Sequence, residues 1–188
     1  MVSWAETLQP VILRRLSYSM KKLALIAALT LCALPLLGQK LSKEEKAAQA
    51  QARYESALAA INAKAWVLVP SEYTTADGET ESNDNNNNFI SSEGDKLFGC
   101  GRFITDNGEN NVGEATKYEV NVDKKGNVKI TMIVSGRMWK GTYKITMRNG
   151  DNQADVIFNP GGSGTTRRFR GPIVPLAEAN YNKRANPI

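Results

Sequence analysis

The chain has 188 residues, 41% of them hydrophobic and 7% aromatic, with a formal net charge of +5, two cysteines and no histidine. That length suits one domain with a sizeable core. The absence of histidine removes the commonest general base and neutral metal ligand, together with every Ser-His or Cys-His nucleophile pair.

Met20-Lys21-Lys22 is followed by an apolar run over residues 23–37 that closes on Gly38-Gln39-Lys40. A positive start, a run too short to span a membrane and a small residue at the exit together predict a secretory signal peptide over residues 20–38. Residues 1–19 precede a methionine that already opens a complete signal and read as a gene-model extension. Cleavage after Gly38 leaves 150 residues with 20 Lys+Arg and 18 Asp+Glu, a net charge of +2. Most of the basic excess leaves with the signal, so the charge gives no reason to expect nucleic-acid binding. The expected location is periplasmic or secreted, with no membrane span after cleavage. Cys100 is then the sole thiol and reads as a small buried strand residue.

Ser42-Lys43-Glu44-Glu45 has capping-box form and opens a charged, Ala-rich helix within residues 39–63. Tyr54, Leu58 and Ile61 recur at helical spacing only in its second half, which should dock while the first half frays. Such a leader serves as a spacer or, on a sharper reading, as a partner-binding helix.

From Lys64 the pattern turns to strands, ending near Leu176 and leaving residues 177–188 as a tail. Trp66-Val67-Leu68-Val69 is a buried strand stopped by Pro70. Residues 71–88, with Asp77, Glu79, Glu81, Asp84 and four consecutive asparagines, read as a surface loop with a weak edge strand near Tyr73. Phe89-Ile90 and Lys96-Leu97-Phe98 flank a turn at Glu93-Gly94-Asp95, and residues 106–113 form another loop.

Tyr118, Val120 and Val122 alternate with polar residues before the turn Asp123-Lys124-Lys125-Gly126-Asn127, and Val128, Ile130, Met132 and Val134 return, with Ile133 the one apolar residue on the other face. Tyr143, Ile145 and Met147, the turn Asn149-Gly150, and Ala154, Val156 and Phe158 repeat the device. A last strand runs through Phe169 toward Leu176, where Pro172 and Pro175 mark an edge or an exit. The fold class is mainly β (α+β): an antiparallel meander of about seven or eight strands forming a half-barrel or sandwich, with one N-terminal helix.

The order of parts resembles domain of unknown function family 4251, a group of secreted β domains of Bacteroidetes-type gut bacteria. It rests on the signal peptide, the helix leading into Lys64-Ala65-Trp66-Val67, the block from Asn88 to Lys96, the hairpin around Lys125-Gly126-Asn127 and the closing Gly171-Pro172-Ile173-Val174-Pro175-Leu176. The resemblance implies an exported small β domain and assigns no functional residue.

Asp77, Glu79 and Glu81 alternate as the first ligands of a calcium loop do, yet Ser82 and Asn88 stand where an EF-hand loop needs Gly and Glu. No metal or other cofactor is expected. Glu72, Asp77, Glu79, Glu93, Asp95, Glu114 and Glu119 are candidates for carboxylate-pair glycoside hydrolysis, and all of them also read as charges that solubilise a small sheet. In Arg167-Arg168-Phe169-Arg170, alternation puts Arg168 and Arg170 on one face, two guanidinium forks suited to phosphate, sulfate or carboxylate groups. Trp139, with Arg137 and Lys140 in a Gly-bounded turn, reads as an exposed stacking platform for a sugar or partner, or as a Trp tucked over the sheet end. Arg137, Trp139, Arg168 and Arg170 are therefore the expected ligand contacts. The functional expectation is a non-enzymatic binding module whose partner is an envelope glycan, lipid or protein. The alternatives are a histidine-free glycan hydrolase and a proteinaceous inhibitor presenting the Arg137–Lys140 turn.

Overall fold

The computed structural model describes residues 41–188 apart from 76, 106 and 186. The expected extension and signal peptide therefore lie outside the described residues.

Helix α1 (Lys43–Asn62) begins directly after Ser42 and buries Tyr54, Ala57, Ala60 and Ile61, all in its second half. The first half is helical too, with its side chains in solvent. Lys64 takes the left-handed turn that ends helices, at φ 51°, a place more often filled by glycine. Its Nζ contacts Asp95 at 2.7 Å and sits 5.4 Å from the centre of the Tyr118 ring, which holds the backbone turn in place.

Ten strands follow: β1 (Ala65–Leu68), β2 (Glu72–Thr74), β3 (Thr80–Ser82), β4 (Phe89–Glu93), β5 (Lys96–Cys100), β6 (Asn111–Val122), β7 (Val128–Gly136), β8 (Lys140–Met147), β9 (Gln153–Pro160) and β10 (Arg167–Pro175). A short helix α2 (Arg102–Thr105) lies between β5 and β6, and a 3-10 turn (Leu176–Glu178) follows β10. All pairings are antiparallel.

Strands β4 to β10 pair in sequence order, and β1 pairs with both β4 and β10. The eight strands thus close a barrel, where the sequence pattern predicts a half-barrel or sandwich; β2 and β3 extend it as a flap. The strand count also exceeds expectation, because the 71–88 segment contains a full hairpin. Closing the sheet removes its main edges, which a half-barrel would leave exposed.

The expectation of an edge at Pro172 is overturned by the same closure. β10 pairs with β9 on one side and with β1 and β2 on the other. The registers Leu68↔Ile173 and Glu72↔Arg170 leave one extra residue on the β1–β2 side, a bulge at Val69-Pro70-Ser71 facing Gly171-Pro172. Pro172 is tolerated there because the bulge interrupts the ladder. A Cβ on Gly171 would run into the Val69 carbonyl and the Pro70 backbone, so the barrel closes around a glycine.

Side chains fill the lumen in alternation along each strand: Val128, Ile130, Met132 and Val134 from β7, Tyr143, Ile145 and Met147 from β8, and Ala154, Val156 and Phe158 from β9. A bulge between Ala115 and Lys117 shifts the phase of β6 so that Ala115, Tyr118 and Val120 pack on the same core. Val122, expected with them, is 48% exposed at the strand end.

A second apolar cluster lies on the outside, where Val67, Phe89, Phe98 and Cys100 are covered by Leu176, Ala179 and Tyr181. The C-terminal tail expected over residues 177–188 packs back on the barrel through its described residues. Tyr181 packs edge-on against Phe89, Lys183 bonds Glu93 at 2.7 Å and lies 3.5 Å from the Phe98 ring centre, and Ile188 exchanges backbone bonds with Asn110 and Val112.

Candidate functional site

Both mouths of the barrel are plugged by aromatic side chains tied into hydrogen-bond chains. At the α1 end, the fully buried Trp66 donates its Nε1 proton to Tyr118 Oη at 2.9 Å. Tyr118 in turn donates to the Ile61 carbonyl at 2.8 Å, and Tyr54 donates to the Gly126 carbonyl at 2.6 Å. Burial pushes the Tyr118 phenol up to about 12, against the opposing effect of the Trp66 N–H.

At the other end, Trp139 is 1% exposed, which overturns its reading as an open stacking platform. Its Nε1 donates to Tyr143 Oη at 2.9 Å, and Tyr143 donates to the Ile104 carbonyl of α2. The Tyr143 ring stacks on Phe158 with centroids 4.3 Å apart, and Trp139 meets it edge-on at 5.8 Å. Gly99 makes room, since a Cβ there would press on the indole. The turn between β7 and β8 folds this Trp inward because a large ring caps the lumen better than it tolerates water. Among the described residues, the lumen is thus closed by aromatic side chains at both ends.

Arg168 and Arg170 do share the outward face of β10, as the alternation predicts. The register places Lys144, Ile157, Arg168 and Thr74 in one cross-strand row, and Thr146, Asp155, Arg170 and Glu72 in the next. Asp155 is approached by Arg170 at 3.7 Å and by Arg148 at 3.8 Å. These are long, exposed pairs of small energetic weight. Arg168 and Lys144 have no ion pair among the described residues. Around the two arginines lies a hollow of ≈ 340 Å³ lined also by Glu72, Tyr73, Thr80, Asp155 and Phe169.

Arg137 lines a different hollow of ≈ 330 Å³, with Met138, Lys140, Pro160 and Gly161 around the plugged Trp139. The four expected contacts therefore do not converge: two arginines stand together, one stands apart, and the tryptophan is structural.

The largest cleft among those described, ≈ 550 Å³, lies elsewhere, between the 85–88 tract, the 100–108 segment and residues 181–184. Three cations line it, Arg102, Lys183 and Arg184, with the carboxamides of Asn85, Asn87, Asn88 and Asn182. Asn182 knits the wall together: its backbone N–H reaches the Asn86 carbonyl at 3.1 Å and its Nδ2 reaches Asn87 Oδ1 at 2.9 Å. Gly101, at φ 100°, lies so close to Asn88 that any side chain would strike its carboxamide. Cys100 also lines the cleft, and burial pushes its thiol up. Sequence reasoning assigned the asparagine tract to a loop, Cys100 to a buried strand position and residues 181–184 to a tail, and left Arg102 and Phe103 unassigned; the asparagine tract was its one visible signal.

Three of the seven carboxylates named from sequence are engaged by nearby donors or cations. Asp95 meets Lys64, Glu119 meets Lys117 at 3.0 Å, and Glu93 accepts from Ser91, Tyr181 and Lys183. Glu72 shares a hollow with Asp155, with Arg170 on the strand between them. Among the described residues no three His, Cys, Asp or Glu side chains gather as a metal site, and no helix is long and apolar enough to cross a membrane.

No family model and no curated protein matches the chain. A solved structure does: the crystal structure of a DUF4251 family protein from Bacteroides eggerthii DSM 20697 is 24% identical, with a TM-score of 0.63, over 71% of this chain and 95% of that one. The chain thus has the fold of a DUF4251 family protein, the family that its sequence resembles.

Proposed function

We propose that the chain is an exported, non-enzymatic binding module of the cell envelope that engages oxyanions of a glycan or lipid through Arg168 and Arg170. The observation that carries this is the outward guanidinium pair beside Arg148 and Lys144 on a rigid barrel wall, where cations outnumber Glu72 and Asp155. Planar forks on neighbouring strand positions suit phosphate, sulfate or carboxylate groups, and a barrel wall loses little freedom when it binds. Export rests on the Lys21-Lys22 signal and places the domain in the periplasm or outside the cell.

The test is a thermal-shift titration of the mature domain with a sulfated polysaccharide and, separately, with anionic lipid vesicles. Ligand at about a hundred times its dissociation constant adds roughly 2.7 kcal/mol, a rise of several degrees. Arg168→Glu with Arg170→Glu should abolish the rise. An unchanged response in that variant, or turnover of a glycoside that Glu72→Gln removes, would transfer the function to another surface or to hydrolysis.

A further inference from the structure

We propose that the cleft between the Asn85–Asn88 tract, the 100–108 segment and residues 181–184 binds an acidic sugar of the uronic acid class. The cleft shares no lining residue with the arginine hollow on β10, so each assignment is tested at its own residues.

Its volume of ≈ 550 Å³ lies within the range of small-molecule sites, roughly 300–1,000 Å³. Among the described residues the lining contains no carboxylate, while three cations face it. Two of these are already balanced: Lys183 by Glu93 at 2.7 Å and Arg184 by Glu109 at 3.3 Å, neither carboxylate being part of the lining. Arg102 has no ion pair among the described residues and is exposed at the start of α2. It is the group left to receive a ligand carboxylate, which its planar fork can take with two hydrogen bonds.

The carboxamides supply the rest. Asn85 Oδ1 is occupied by the Asn87 backbone N–H at 2.9 Å, and Asn87 Oδ1 by Asn182 Nδ2 at 2.9 Å. Each of these bonds fixes a side chain and leaves its other end over: Nδ2 of Asn85, Nδ2 of Asn87 and Oδ1 of Asn182. Two donors and an acceptor held on a shared framework match vicinal hydroxyls, which both donate and accept. A bare anion would accept from Arg102 and the two Nδ2 groups and leave the Asn182 oxygen without a donor; a neutral sugar would leave Arg102 without an anion. An acidic sugar uses both.

The experiment is an amide-detected NMR titration of the protein with galacturonic and glucuronic acids and their dimers, with galactose, glucose and inorganic sulfate as comparators. Expected are shifts at the Asn85, Asn87 and Asn182 side-chain amides and at least tenfold weaker binding of the neutral sugars and of sulfate. Arg102→Ala should weaken uronate binding about tenfold or more, since a charge-assisted bond contributes about that much. Arg53→Ala, on the exposed face of α1, should leave it unchanged. Should Arg102→Ala perturb the fold, Asn87→Ala provides the same test from the hydroxyl side. Absence of shifts at these amides with every uronate, sulfate shifting the same amides as readily as the uronates, or full affinity in both variants would overturn the assignment.

Discussion

Tyr118 links three parts of the molecule through one oxygen, so replacing it with phenylalanine isolates what that link contributes. In Tyr118→Phe the ring still fills its place, but Trp66 Nε1–H, on a fully buried indole, loses its only described acceptor. An unmatched buried donor costs about 1–3 kcal/mol. The Ile61 carbonyl is spared that penalty because it also accepts from the Lys64 backbone N–H at 3.1 Å. The expected loss at pH 7 is therefore about 2 kcal/mol. Alkaline pH reverses the balance. The phenol is raised from 10.0 in the unfolded reference to about 12 in the fold, chiefly by burial. The stabilisation this represents is complete below pH 10 and is lost as pH rises through 12, amounting to about 3 kcal/mol. Phenylalanine has no proton to lose, so the gap between wild type and variant should narrow steadily above pH 10. Tyr143, also raised by burial, remains in both proteins and keeps some alkaline loss in the variant. Urea unfolding followed by tryptophan fluorescence at pH 7, 10 and 11.5 measures this. A loss under about 0.5 kcal/mol at pH 7, or a gap that stays constant to pH 11.5, would refute the reasoning.

Trp139→Ala should destabilise by about 3–5 kcal/mol, as removal of a buried ring does, and an effect below about 1 kcal/mol in denaturant titration would return Trp139 to the surface. Gly171→Ala forces a methyl group onto the Val69 and Pro70 backbone at the closure of the barrel, with an expected cost of about 1–3 kcal/mol; calorimetry showing an unchanged midpoint would mean that the bulge relaxes freely. The Cys100 thiol, 5% exposed and shifted up by burial, should react with a thiol reagent orders of magnitude more slowly in the native domain than in guanidinium. Removing residues 181–188 uncovers it and should restore fast labelling, whereas stoichiometric labelling of the intact native domain would contradict the packing of that segment.

Much of the fold was legible because it is written locally. Tyr143, Ile145 and Met147 face Ala154, Val156 and Phe158 across the Asn149-Gly150 turn, and period-two alternation needs no knowledge of the rest of the chain. The docked half of α1, the turn at Asp123 to Asn127 and the common face of Arg168 and Arg170 were legible for the same reason. β2 was legible only as a weak edge strand near Tyr73, and β3 and α2 were not: three- and four-residue elements rich in polar side chains carry no periodic signature and exist because the barrel holds them.

What the sequence by itself determined is the antiparallel class, the sequential hairpin pairing of the strands from β6 to β9 and the side of β7, β8 and β9 that meets the core, since these follow from the alternation of side chains and the chemistry of turns. Only the tertiary structure decided that the sheet closes, that Trp139 turns inward and that residues 181–184 meet an asparagine tract nearly a hundred positions earlier. Closure depends on β1 finding β10 across a bulge that needs Gly171, and the cleft depends on polar groups from three distant segments. Such contacts have no period along the chain, because their energy is realised only once the barrel has brought the segments together.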